Sequence, residues 1–189
     1  MKTTFLMGQR IYLRPLSLED LNGNYISWLN DVEICANNSH HIFPYTEEMA
    51  RDYIKNAYAS RDKLVLAIVL KETNLHVGNI SLLRIDFMSQ NAEFAVLFGA
   101  KDLWGQGISR EAAVLIIRHG FDALNLHRIH CGTFSGNTPM LRLANYLGMK
   151  KEGVRRDAFF KNGKFVDIIE FGVLKDEFSA QFSNRVDIS

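Results

Sequence analysis

Apolar positions along the chain switch between a period of two and a period near 3.6, and the switches mark its elements. Ile11-Tyr12-Leu13-Arg14 reads as a first strand. Ser17 then caps a helix, with Asp20 in the reciprocal position of a loose capping box and Leu18, Leu21, Tyr25, Trp28 and Leu29 at helical spacing. Thr46 followed by Glu47 and Glu48 opens a second helix to about Ser60, with acidic side chains where the helix dipole favours them. The stretch between, Asn30 to Tyr45, has no clear period. Lys63 to Leu70 and Val77 to Ile85 are rich in Leu, Val and Ile and are joined by Glu72-Thr73-Asn74, which predicts a hairpin. Ala92 to Gly99 extends that antiparallel sheet.

Ser109 to Leu124 carries Ala112, Ala113, Leu115, Ile116, Phe121 and Leu124, the stripe of a helix laid on a sheet. His130 to Phe134 is the next strand. Asn137 to Leu147 is a short helix with Pro139 in its first turn and Gly148 as a left-handed cap. Val154 to Phe160 and Phe165 to Leu174 flank Lys161-Asn162-Gly163-Lys164, whose Asn-Gly pair is a hairpin turn signal. The order βααβββαβαββ defines an α/β chain of about seven strands and about four helices.

At 189 residues the chain has the length of one domain, 1–189, and no repeat, low-complexity tract or linker divides it. The 22 Lys+Arg nearly balance the 21 Asp+Glu, and no basic block with interleaved aromatics occurs, so no nucleic-acid partner is expected. Cys35 and Cys131 are the only cysteines, and Met1 to Met7 is too short an apolar stretch for a signal peptide. Both features fit a reducing cytoplasm. No apolar run approaches the length that spans a bilayer, so no membrane partner is expected.

Between a strand ending at Gly99 and a helix running on from Glu111 lies Trp104-Gly105-Gln106-Gly107-Ile108-Ser109-Arg110. Two glycines one residue apart let a backbone approach a ligand closely, and the following helix aims its unpaired N–H groups and positive dipole end at the same spot. An ordinary turn with glycines at positive φ is the simpler reading and stays open. No Gly-Lys-Ser/Thr follows, so the loop is not a Walker A motif, and Arg110 occupies the place of the third glycine in a dinucleotide fingerprint. A pyrophosphate held by successive backbone amides remains.

Trp104 through Ala112 resembles the acyl-CoA loop of the GCN5-related N-acetyltransferases, most closely the branch related to ribosomal-protein N-terminal acetyltransferases, where Trp-Gly-x-Gly-Tyr-Ala-x-Glu-Ala is common. Ser109 replaces the usual small residue there without removing a backbone donor. Tyr12 through Leu16 with Glu19-Asp20, Val77-Gly78-Asn79-Ile80, Asn137 through Met149 and Lys161-Asn162-Gly163 carry the resemblance along about 8–175, leaving 176–189 as a tail. The resemblance implies a mixed, mostly antiparallel sheet splayed at the cofactor site. It implies Leu97, Phe98 and Gly99 bonding the pantetheine amides of acetyl-CoA, and Gly105, Gln106, Gly107, Ile108, Ser109 and Arg110 holding its pyrophosphate. Asn137 is similar to the family's CoA-contacting asparagine, with Met140 nearby, and a helix-capping role for Asn137 is equally compatible.

Acetyl transfer to an amine needs a neutral nucleophile, a stabilised oxyanion and a proton for the departing thiolate. Glu93, in the otherwise apolar run Ala92 to Leu97, is the candidate base, since the family often carries a glutamate on that strand. A solvated strand carboxylate is the alternative. Alternation places Glu93 with Ala95 and Leu97 on one face, and Phe94 and Val96 on the other. The family's tyrosine acid, seven residues after the asparagine, falls on Ala144 and is missing. Cys131 offers a covalent route without an activating set beside it. His40-His41 and His127-x-x-His130 complete no recognisable ligand set, so no metal is expected.

His40, His41, Phe43 and Tyr45 fall where the fold forms its acceptor wall, and Trp28-Leu29-Asn30-Asp31 also occurs in acetyltransferases of nucleotide-linked amino sugars. The expected reaction is direct transfer from acetyl-CoA to a protein N-terminus, an amino sugar or a small amine, by a monomer or homodimer. The alternative is a non-catalytic acyl-CoA-binding sensor, for which Glu93 is dispensable.

Overall fold

The structure is a computed structural model that describes residues 3–182. Its centre is an eight-stranded sheet in the order β1-β2-β3-β4-β5-β6-β8-β7. The strands are β1 (Leu6–Met7), β2 (Ile11–Pro15), β3 (Leu64–Leu70), β4 (His76–Asp86), β5 (Asn91–Phe98), β6 (Arg128–Phe134), β7 (Lys150–Lys161) and β8 (Lys164–Leu174). All neighbours are antiparallel except β5 and β6. The eighth strand is the two-residue β1, too short to show a period, which pairs Leu6 with Leu13. Asn162 and Gly163, both at positive φ, make the two-residue turn between β7 and β8.

Helices α1 (Tyr25–Leu29) and α2 (Glu47–Ala59) cover one face of the sheet, and α3 (Ile108–Asp122), α4 (Thr138–Tyr146) and α5 (Lys175–Phe182) belong to the other. β5 feeds both cores: Phe94, Val96 and Phe98 pack on the α3 side, Leu97 on the α1 side. The helix expected from Ser17 to Leu29 is broken into a 3-10 turn, Leu18–Asn22, and α1. Gly23 lies between them in an extended conformation, and a glycine held inside a helix would cost about 1 kcal/mol.

The turn before that break is fixed by a buried ion pair. Arg14 Nη1 and Nη2 donate to the two Asp20 carboxylate oxygens at 2.8 and 2.6 Å, and the Ser17 N–H donates to Asp20 Oδ2 at 2.8 Å. Burial by itself pushes the Asp20 carboxyl up, but the bonds from Arg14 and Ser17, with the charges of His76 and Arg14, carry it well below the ordinary carboxylate range. His76 bonds the Asn79 side chain and the Gly78 carbonyl through Nε2, and burial pushes its imidazole pKa down.

Helix α5 lies in a stretch to which the sequence reading assigned no element. Phe178 and Phe182, four residues apart, are both 3 % exposed, and Phe178 lies 5.4 Å from Phe121 of α3. Residues 183–189 of the expected tail lie outside the described residues. Among the described residues no helix is long and apolar enough to cross a membrane.

Candidate active site

β5 and β6 pair at three rungs, Asn91 with Arg128, Ala92 with Ile129 and Glu93 with His130, and then part. β5 stays paired with β4 as far as Phe98, and β6 with β8 as far as Phe134. The sheet is therefore split between Phe94–Phe98 and Cys131–Phe134, with each strand supported on its outer side. The N–H groups of Gly99 and Ala100 both donate to the Val77 carbonyl, at 2.9 and 3.1 Å. Antiparallel alternation from that pair turns the backbone groups of Leu97 toward β4 and those of Val96 and Phe98 toward the split. The Phe98 carbonyl also accepts the Trp104 indole N–H at 3.3 Å, which folds Trp104 back over the strand end.

Gly99 ends β5 against α1. A Cβ at this position would stand 2.0 Å from Trp28 Cδ2, so only glycine lets the strand end seat on that ring. Trp28 is itself wedged against His76, with ring centroids 5.0 Å apart.

The loop after β5 reaches α3 through Gly105 and Gly107, at φ +79° and +82°, with Gly107 as the helix N-cap. Arg110 and Glu111 donate their N–H groups to the Gly107 carbonyl, and Gln106 donates to Leu103. Among the described residues no acceptor is found for the N–H groups of Gly105, Gly107, Ile108 and Ser109. Among the described residues, and beyond its two chain neighbours, nothing lies within 4 Å of where a Gly105 Cβ would stand, so the cradle is open there. Ile108 is buried in the α3 core, and the Arg110 guanidinium lies over the Tyr146 ring of α4 at 4.9 Å. A pyrophosphate with its oxygens toward these donors fits this backbone, and the split edge beside it fits an extended amide-bearing arm.

Glu93 occupies the last paired rung, on the face shared with His130, and its Oε2 lies 3.0 Å from Arg84 Nη1. Arg84 reaches it because β4 bulges between Leu83 and Asp86, with Arg84 at φ +51°. The same face carries Glu170, opposite Gly132 on β8 and bonded to Arg155 Nε at 2.6 Å. Cys131 points to the opposite side, 1 % exposed, with its thiol 3.6 Å from the Met149 sulfur. Burial, then the charges of Glu170 and Glu93, pushes that thiol up to about 12, so it is protonated and shielded rather than nucleophilic. A buried thiol of this kind is poorly placed for the covalent route.

Asn137 caps α4: its Oδ1 accepts the Met140 N–H at 3.2 Å, and its Nδ2 donates to the Asn37 carbonyl at 3.1 Å. It thus ties the far lip of the split to the irregular segment before α2. Ala144, at the register of the expected tyrosine, is fully buried. Tyr146 turns its ring to Arg110 and to Phe182 of α5.

The aperiodic stretch is a loop clamped at its ends. Asn30 Nδ2 donates to the Tyr45 carbonyl and the Tyr45 N–H donates to Asn30 Oδ1, both at 2.8 Å. Lys101, just past β5, holds Asp31 at 2.9 Å and Glu33 at 2.7 Å. The N–H of Ile34, then Lys101, lowers the Asp31 carboxyl pKa. Lys161 at the β7–β8 turn donates to the His40 carbonyl. Phe43 is 80 % exposed on this loop, while Tyr45 lies half-buried beside Tyr25. Sequence reasoning missed Arg84, which a bulge delivers, and the Asn30–Tyr45 clamp, whose partners are 15 residues apart in an aperiodic segment.

A family model of the acetyltransferase (GNAT) domain matches residues 10–150. The chain is 32% identical over 182 residues to the uncharacterized N-acetyltransferase p20 of Bacillus licheniformis, covering 92% of this chain and 98% of the relative. The fold resembles spermidine N-acetyltransferase from Vibrio cholerae in complex with CoA and spermine, with a TM-score of 0.81 at 21% identity over 89% of this chain and 98% of the other. It is equally close, at a TM-score of 0.81 and 16% identity, to Mycobacterium smegmatis RimJ in complex with CoA-disulfide, over 97% and 94% of the two chains.

Proposed function

This chain belongs to the acetyltransferase (GNAT) family, and we propose that it moves an acetyl group from acetyl-CoA directly onto a primary amine of a small amine, an amino sugar or a protein N-terminus. The observation that carries the reading is the split between β5 and β6, which ends at Glu93 on one side and leads on the other to four loop amides with no acceptor among the described residues. Bound acetyl-CoA supplies the acyl group as a thioester, already activated for attack.

Val96 and Phe98 offer the backbone edge for the pantetheine arm, with Leu97 and Gly99 setting the position of that edge. The N–H groups of Gly105, Gly107, Ile108 and Ser109 receive the pyrophosphate, with Gln106 shaping the turn and Arg110 bracing α3 on α4. Asn137 and Met140 form the opposite lip. Glu93 takes the proton from the acceptor amine, from a place on the open face that the amine reaches beside the split.

Two carboxylates share that face, each already beside an arginine: Glu93 by Arg84 at 3.0 Å and Glu170 by Arg155 at 2.6 Å. A peptide α-amino group near pKa 8 is about one-tenth neutral at pH 7, whereas a lysine near 10.4 is neutral in about one molecule in 2,500. One carboxylate therefore serves the first more readily than the second. Polyamine amines are as basic as lysine and lean harder on the base, and the Vibrio cholerae neighbour, captured with spermine, is the reason to keep them among the candidate acceptors.

The test is thiol release from acetyl-CoA across a panel of peptide N-termini, polyamines and amino sugars, including nucleotide-linked ones. Release that depends on one class of amine, with the acetylated amine recovered, is the expected result. CoA binding with no release from any amine would favour a sensor and overturn the reading.

A further inference from the structure

We infer that Arg10 is a positioning residue for the phosphate-binding loop, acting through the Gln106 carbonyl and held there by Glu111. The inference rests on the reading of residues 105–110 as the pyrophosphate cradle of an acetyl-CoA site. Arg10 Nη2 donates to the Gln106 carbonyl at 2.9 Å, across 96 positions of sequence. The peptide joining Gln106 to Gly107 is planar and trans, so its C=O and its N–H point in opposite directions. A guanidinium that grips the carbonyl from the β2 side therefore turns the Gly107 N–H away from β2, toward the open side of the cradle.

That choice needs a device because the loop does not make it alone. Gly107 is a glycine in the left-handed region, and its φ is one of the two torsions that turn over when the 106–107 peptide flips. A flipped peptide would present a carbonyl oxygen to the phosphates and repel them. Arg10 selects the donor orientation.

Arg10 is in turn anchored at the first turn of α3. Its backbone N–H donates to Glu111 Oε1 at 2.9 Å, the Ile11 N–H donates to the same oxygen at 3.4 Å, and Arg10 Nε reaches Oε2 at 3.5 Å. Glu111 is 10 % exposed in its side chain, Arg10 52 %. A Cβ at residue 8 would stand 2.3 Å from Glu111 Oε1, so Gly8 leaves the room this latch occupies. The pair solves an electrostatic conflict as well. A carboxylate in the first turn suits the helix dipole but stands beside an anion site, and Arg10 with two backbone donors offsets its charge.

The test compares acetyl-CoA with S-acetylpantetheine, which lacks the pyrophosphate, on the wild type, Arg10→Ala, Arg10→Lys and Glu111→Gln. Arg10→Ala is expected to raise KM for acetyl-CoA about tenfold, the effect of one lost charge-assisted hydrogen bond, with kcat/KM for S-acetylpantetheine held within about twofold. Arg10→Lys keeps the charge but cannot hold carbonyl and carboxylate together, so it falls between. Glu111→Gln, which keeps its size, shifts the acetyl-CoA KM in the same direction. Equal losses with both thioesters would mean general damage and overturn the inference, as would an unchanged KM for acetyl-CoA in Arg10→Ala. Wild-type protein that neither binds CoA nor uses acetyl-CoA would overturn the site reading itself, and the inference with it. Normal wild-type use with an unaffected Arg10→Ala would overturn the inference alone.

Discussion

Replacing Gly99 with alanine probes how rigidly the end of β5 is seated at the mouth of the split. The added Cβ would stand 2.0, 2.2 and 2.4 Å from Trp28 Cδ2, Cε2 and Cγ. Carbon atoms in contact rest about 3.5–4.0 Å apart, so ring or strand must move by about 1.5 Å. Trp28 has little room: it is 5 % exposed, with His76 5.0 Å and Tyr25 6.4 Å from its ring. Overpacking of this kind costs about 1–3 kcal/mol, and a clash with a walled-in indole belongs at the upper end, about 3 kcal/mol. For a chain of this size that is a fall in Tm of about 6–12 °C. Residue 99 is outside the left-handed region, so the cost is steric and not conformational. The assay is urea unfolding of Gly99→Ala, Trp28→Leu and the double variant. With the indole gone, the alanine should cost under about 0.5 kcal/mol, which makes the coupling about 2 kcal/mol or more. Additive effects, or a Gly99→Ala variant as stable as the wild type, would refute the reasoning.

Glu93→Gln should lower kcat at neutral pH by about 100-fold while changing CoA affinity far less, because a general base contributes at least that much; unchanged steady-state kinetics would remove Glu93 from the mechanism. Asp20 has a lowered carboxyl pKa in the folded state, so its contribution to stability is complete above the unfolded value near 3.9 and is lost as pH falls through the folded one. Asp20→Asn should therefore cost about 3–5 kcal/mol at pH 7, by leaving Arg14 buried and unpaired, and should flatten the acid limb of stability below about pH 4; an unshifted urea midpoint would contradict this. Cys35 and Cys131 are both buried, and burial raises both thiol pKa values. A disulfide reagent at pH 8 should leave native protein unmodified and titrate two thiols per chain after unfolding, and Cys131→Ala should keep its turnover; rapid native modification would contradict the burial.

What the sequence made legible has a local physical cause. The Asn162-Gly163 turn, the Gly148 cap and the Pro139 start of α4 are signals of one or two residues, and each stands where the sequence predicts it. The glycine loop was readable because Gly-x-Gly before a helix start has few uses. The segment from Tyr12 to Asp20 carries the family resemblance, and the reason for its pattern is the Arg14–Asp20 pair. Long-range features left no such mark. Arg10 and Glu111 are 101 positions apart, and each alone reads as an ordinary surface charge. Arg84 meets Glu93 through a bulge that alternation does not foresee, and Gly23 broke a helix whose apolar spacing ran straight through it. Helix α5 leaves little trace in the sequence because its apolar signal is a single i,i+4 phenylalanine pair.

Amide hydrogen exchange with and without CoA tests the site most directly. Slowed exchange at 94–99 and 105–110, where Phe98 and the loop amides lie, is the expected result, with no comparable change on β7 or α2. CoA that binds while those two segments exchange as fast as in the free protein would contradict the assignment of the β5–β6 split and its glycine loop as the acetyl-CoA site.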